Sequence, residues 1–225
     1  MLRDFDRMSV LKKFKSTYSK SFDYDEYFSS MDVSDEKKEE IRSLSKKLEI
    51  IFLIMFALYA TNEEDDEVFL VAYQAYMEKM REFLDFKNGN SYIEEQAREV
   101  ILEIIETTDR NVEDDDVSES EDGFESDSYY LSSSRAMLIA ANEATMAMNY
   151  RDYVKAIKDG MNKKTWVTEK DNRVRKTHAA IDEDTIGIFE LFQVGDSTMM
   201  FPKDSSLGAD ANEIVNCRCV ARYSK

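Results

Sequence analysis

The chain has 225 residues, 43% of them hydrophobic, which is enough for one large domain or two small ones with a real core. Its formal net charge of −17 repels nucleic-acid backbones and anionic membranes, so charge-driven binding to either is excluded. The acidity is lopsided, because residues 135–225 carry 14 Lys and Arg against 13 Asp and Glu, leaving 16 against 34 for residues 1–134. Two differently charged units are the natural reading.

The amino terminus, MLRDFDRMSVLKKFK, is charged throughout and lacks the apolar stretch of a secretory signal. Residues 1–33 scatter Phe5, Phe14, Tyr18, Phe22, Tyr24, Tyr27 and Phe28 among charges without a clean period. That suits an arm that orders on a partner, or equally a hairpin of short surface helices. Ser34 then caps a helix running to about Ala60, with Asp35 and Glu36 suited to its dipole. Its run from Ile50 to Ala60, the longest apolar one, falls short of the roughly 18 residues of a membrane span and reads as a buried helix.

Thr61 or Asn62 caps a second helix, whose Val68, Val71, Ala72, Ala75, Tyr76 and Met80 keep helical spacing until the Asn88-Gly89-Asn90 break. Ser91 caps a third, with Ile93, Ala97, Val100, Ile101, Ile104 and Ile105 on a 3-4 rhythm. Short connections between these helices predict an antiparallel bundle. Residues 106–128 are acidic and Ser-rich, too poor in apolar side chains to offset ordering entropy, and read as a flexible linker. The calcium-loop spacing is missing from them.

A further helix is predicted from Tyr129 or Ser132 to Lys158, stopped by Gly160. Beyond it, the short apolar stretches Thr165–Val167, Ile186–Leu191, Thr198–Phe201 and Ile214–Val220 alternate with turn residues, as strands do. The predicted architecture is α+β: an acidic helical domain over residues 1–105, the linker 106–128, and a small α+β domain over 129–225 led by its long helix.

The residues able to carry chemistry fall in this last part. Thr168-Glu169-Lys170-Asp171 fits a capping box opening a short helix. Asp171, Arg175 and His178 then share one helical face. They read as a capped helix with one ion pair and a packed histidine, or as a polar site in which His178 is a ligand or general base. At the end of the chain, Cys217 and Cys219 point to one side of an extended segment and Arg218 to the other. Thiols so placed are poorly set for a disulfide with each other. Packed free thiols are one outcome; zinc held by His178, Cys217 and Cys219 is the other. The pattern requires no cofactor, and no Gly-rich phosphate loop or Ser-centred elbow is present.

In order along the chain, these residues resemble the phage Mu F-like head-morphogenesis family, the minor capsid proteins. Arg135-Ala136, then Ile139-Ala140 and Asn142-Glu143, resemble its R-A-x-x-I-A-x-T-E stretch, and Asn149 sits at its helix asparagine. Lys164, Trp166, Thr168, Asp171, Val174, Arg175 and His178 are similar to K-x-W-x-T-x-x-D-x-x-V-R-x-x-H. Pro202 and Asp204 resemble its P-x-D turn, and Asn216-Cys217-Arg218-Cys219 its terminal N-C-R-C. The chain departs at Asn142, where the family has Thr, and at Asp182-Glu183-Asp184-Thr185, where it has an Asp-Gly turn. The resemblance covers roughly the last ninety residues. It implies a low-copy virion component, made in the host cytoplasm and placed in the head with the portal and the major capsid or scaffolding protein. Contact with packaged DNA would be indirect. The competing expectations are a nuclease-like or other enzyme using His178, Asp171 and Arg175, and a zinc-stabilised protein-binding module.

Overall fold

The computed structural model describes residues 7–61, 63–87 and 89–225. Phe5, Asn62 and Asn88 of the expectations above lie outside them. The protein is mixed, 55% helical and 14% strand, with a helical region followed by a small sheet-containing one. No helix among the described residues is long and apolar enough to cross a membrane.

In chain order, α1 (Arg7–Lys13) runs into β1 (Phe14–Ser16), followed by α2 (Tyr24–Ser29) and α3 (Asp35–Ala60). Ser34 Oγ accepts the Lys37 amide at 3.4 Å and caps α3 as expected. Next come α4 (Asp65–Leu84), which ends on Asp85 in the left-handed region, and α5 (Ser91–Asn111). The cap of α5 is Asn90 rather than Ser91, because Asn90 Oδ1 reaches the Ile93 amide. β2 (Val117–Ser120) and β3 (Gly123–Ser126) precede α6 (Ser133–Lys158). The remainder comprises β4 (Lys163–Val167), α7 (Lys176–Ala179), β5 (Thr185–Gly187), β6 (Phe192–Val194), β7 (Ser197–Met199), α8 (Ala211–Ile214) and β8 (Val220–Ser224).

The chain forms two compact units, and neither is continuous in sequence. Of the described residues, one takes those up to 22 together with 46–140, the other 23–45 and 141–225. These limits differ from the sequence boundaries because α3 and α6 each contribute a part to both units.

In the first unit, the apolar faces of α4 (Val68, Ala72, Tyr76, Met80) and α5 (Ile93, Ala97, Ile101, Ile104) are buried, as their spacing dictates. Residues 106–128 do not form the structureless linker that their composition suggests. They hold the last turn of α5 and the β2–β3 hairpin, and β3 also pairs in parallel with β1, placing Phe14 opposite Phe124. Ser118, Glu119 and Ser120 stay exposed, so water solvates the like charges while the backbone pairs. Gly123 permits that pairing: at φ 138 a Cβ there would sit 2.0 Å from the Lys13 carbonyl oxygen.

In the second unit, β4 is central in an antiparallel β5-β4-β8 sheet, and β6 pairs with β7. The fully buried Trp166 on β4 packs edge-on to Phe192 with Val194, Met199, Cys217 and Cys219 around it. Expected strands are shifted here. Of Ile186–Leu191 only the first residues are extended, because Glu190 turns back to accept the Gly187 amide. Part of Ile214–Val220 is displaced by α8, which Asp210 caps through the Asn212 amide. Residues 24–29 are not a free arm: Tyr27 is buried, and its hydroxyl donates to the Cys217 carbonyl at 2.8 Å.

Candidate functional site

Thr168 does not open a helix. Its Oγ1 accepts the Lys170 amide, and Asp171 Oδ1 accepts the Arg173 amide, two local turns that compete with helical bonding. The helix starts only at Lys176, so Asp171, Arg175 and His178 do not share one helical face. The predicted Asp171–Arg175 pair is replaced by a bidentate pair of Asp171 with Arg218, at 2.7 and 2.8 Å. Arg218 also donates to Ser30 Oγ, and Arg175 donates to the Val215 carbonyl. Chiefly through its hydrogen bonds with Arg218, Asp171 is held well below the usual carboxylate range.

His178 is turned the other way, and both cysteines meet it. Its Nδ1 lies 3.3 Å from Cys219 Sγ and 3.6 Å from Cys217 Sγ, with all three residues buried. Its Nε2 lies 2.9 Å from Glu213 Oε2, which also accepts the Thr177 hydroxyl. With Glu213 Oε2 as acceptor, Nε2 carries a proton, and in the neutral imidazole the Nδ1 lone pair then faces the sulfurs. No spacing pointed to Glu213, which is brought in by α8 from 35 residues along the chain.

The two thiols titrate as a pair. Cys219 shares its proton with Cys217, so Cys217 lies well below the ordinary thiol range despite burial, and Cys219 is raised. Burial works against charge on His178, but the Cys217 contact outweighs it and raises its pKa. A thiolate–imidazole pair is chemically capable, yet the cavity it helps to line is only about 10 Å³, the space of one water. No substrate the size of a nucleotide fits there.

The other motif residues are fasteners. Asn149 Nδ2 donates to the carbonyls of Pro202 and Cys219, joining α6 to the Pro202 turn and to the end of the chain. Asn142 Oδ1 accepts both the Asn216 amide and the Lys203 ammonium. Lys203 is buried, and that burial lowers its pKa to about 8. Glu143, beside Asn142 on α6, is buried as well. Asp204 closes its turn by accepting the Met200 and Ser206 amides. In the first unit, the buried Arg135 donates to Thr107 and Thr108 and to the Ile104 carbonyl of α5, with its guanidinium 5.3 Å from the Phe56 ring. Lys203 and Asn142 are partners that no local spacing could reveal.

The model of the family described as Phage Mu protein F like protein matches residues 96–222, more than half of the chain. The chain belongs to that family. It is a phage head protein, a component of the virion. No curated protein and no solved structure matches it. The match starts well before the region of sequence resemblance, inside α5, the helix that Arg135 holds. The Mu F-like region therefore includes a helix whose own sequence carries no recognisable motif.

Glu183, in the segment that stands in place of the family's Asp-Gly turn, adopts φ 64. A glycine there relieves left-handed strain at the cost of one exposed pair with Lys170, which is worth little. Glu183→Gly is expected to raise stability by about 0.5–1 kcal/mol in urea melts. A loss of stability would show that the Lys170 pair outweighs the strain.

Lys164 of the Mu F-like motif is fully buried, donating to the Met200 carbonyl at 2.6 Å between the Tyr153 and Phe192 rings. Burial lowers its pKa to about 8, below the ~10.4 of an unfolded lysine. Between those values the unfolded chain binds more protons, so the Lys164 contribution to stability rises with pH and is complete near pH 10.4. In Lys164→Met this rise should vanish, a difference on the order of 2 kcal/mol between urea melts at pH 7.5 and pH 10. Equal pH slopes in the two proteins would contradict it.

Proposed function

We propose that this Mu F-like head protein is a low-copy component of the procapsid, docked beside the portal through the acidic surface of its amino-terminal part and fixed in shape by its motif residues. The observation that carries the reading is the use of the motif. Asn149, Asp171 and Arg218 are spent on tying segments of the fold together. His178 and the cysteines face a space of about 10 Å³, too small for a substrate the size of a nucleotide. The enzyme reading loses its basis when Asp171 pairs with Arg218 rather than joining His178.

The net charge of −18 in residues 1–134 favours a basic protein surface over DNA. Any association with packaged DNA is then indirect, and assembly takes place in the host cytoplasm before the head is filled. Co-sedimentation with purified portal rings, and separately with major capsid or scaffolding protein, tests the partner. Binding to the portal that weakens as salt rises from 50 to about 500 mM is expected. Binding to capsid protein alone, or to neither, overturns the portal assignment.

A further inference from the structure

We propose that His178, Cys217 and Cys219 are three ligands of a structural zinc ion, with a water-sized ligand in the fourth position. The donor atoms, His178 Nδ1 and both Sγ, all lie within 4.8 Å of one another, and Nδ1 is 3.3 and 3.6 Å from the two sulfurs. Zinc bonds of about 2.3 Å to sulfur and about 2.0 Å to nitrogen, meeting at the tetrahedral angle, set such atoms roughly 3.5 Å apart. Both nitrogen–sulfur separations are already close to those the ion needs. Two thiolates and an imidazole are a donor set that suits zinc and not calcium or magnesium, which take oxygen ligands.

The surroundings are those of a metal site. Glu213 accepts from His178 Nε2, which fixes the tautomer with its lone pair toward the sulfurs and makes that nitrogen a better ligand. Thr177 in turn holds Glu213 in place. The Cys219 amide donates to Cys217 Sγ at 3.4 Å, a contact that stabilises a thiolate. Trp166 Nε1 is fully buried without an ordinary hydrogen bond, and its N–H interacts with Cys219. The cavity lined by His178, Cys217, Cys219 and Glu169 has room for about one water, as the fourth position requires. An ion here joins α7 to the segment leading into β8, replacing a packed-thiol contact with three strong bonds.

The full chain, expressed with zinc and gel-filtered, should contain about one zinc per chain by elemental mass spectrometry. Removing it with a strong chelator should lower the melting midpoint by about 10 °C, reversibly on adding zinc back. Cobalt in its place should give the visible bands of a tetrahedral site and near-ultraviolet thiolate charge transfer. Cys219→Ser should reduce zinc content at least ten-fold; if that variant does not fold, the wild-type cobalt spectrum decides. No zinc after reconstitution, cobalt without thiolate bands, or full zinc occupancy in a folded Cys219→Ser protein would each overturn the site.

Discussion

Arg218→Ala is expected to destabilise the second unit by about 3 kcal/mol. Arg218 is 7% exposed and makes three side-chain bonds, two to Asp171 and one to Ser30. Its removal leaves Asp171 with its Arg173 contacts and breaks the bond from this arginine to Ser30, just after α2. Arg218→Lys should recover less than half of the loss, since an ammonium cannot bridge both carboxylate oxygens. The pH dependence follows from the sign of the Asp171 shift. Its folded pKa lies below its unfolded one, so its contribution is fully present above about pH 4 and lost as the pH falls below that. Acid should therefore destabilise the wild type more steeply than Arg218→Ala below pH 4. Urea melts between pH 2.5 and pH 7 read this directly, and parallel curves would show that the pair carries no net stability.

Trp166→Ala should cost about 4 kcal/mol, the range for emptying a large buried aromatic site. The ring is fully buried, 5.2 Å from Phe192 and 5.5 Å from His178, at the centre of the unit's apolar cluster. The loss would fall on the sheet and the His178 cluster together, because β4 carries Trp166 between β5 and β8. Trp166→Phe, which keeps an edge-on aromatic contact, should lose less than half as much. Far-ultraviolet circular dichroism in urea measures both. A cost under about 1 kcal/mol for Trp166→Ala would mean that the site refills and that the cluster does not hold the unit together.

The helices were legible because burial imposes a period: the apolar faces of α4 and α5 are those that the 3-4 rhythm picks out. The alternation of short apolar stretches with turns also revealed an α+β second part. What escaped was settled by pairing at long range. Asp171 has Arg175 four residues away in sequence, yet its partner is Arg218, because Thr168 and Asp171 form turns before any helix begins. Glu213 carries no spacing signal toward His178, and only the placement of α8 makes it a partner. The acidic stretch misled for a different reason. Composition judges side chains, but β2 and β3 are held by backbone bonds, which composition does not reveal. The thiols were the better case. Residues two apart in an extended segment face one way, and Cys217 and Cys219 do both meet His178.

The departures from the family pattern are absorbed rather than disruptive. Asn142, in the place of a threonine, offers an oxygen to both Lys203 and the Asn216 amide. Asp182, in the altered turn, accepts the Thr168 amide at 2.8 Å and so still anchors the loop that leads to Asp171.

The measurement that bears most directly on the central claim is quantitative mass spectrometry of heads assembled by co-expressing this chain with its portal, major capsid and scaffolding proteins. A few copies per particle, retained through sedimentation at physiological salt, is the result expected of a minor head protein. Well-formed heads that lack the chain, or that carry it at the copy number of the major capsid protein, would contradict it.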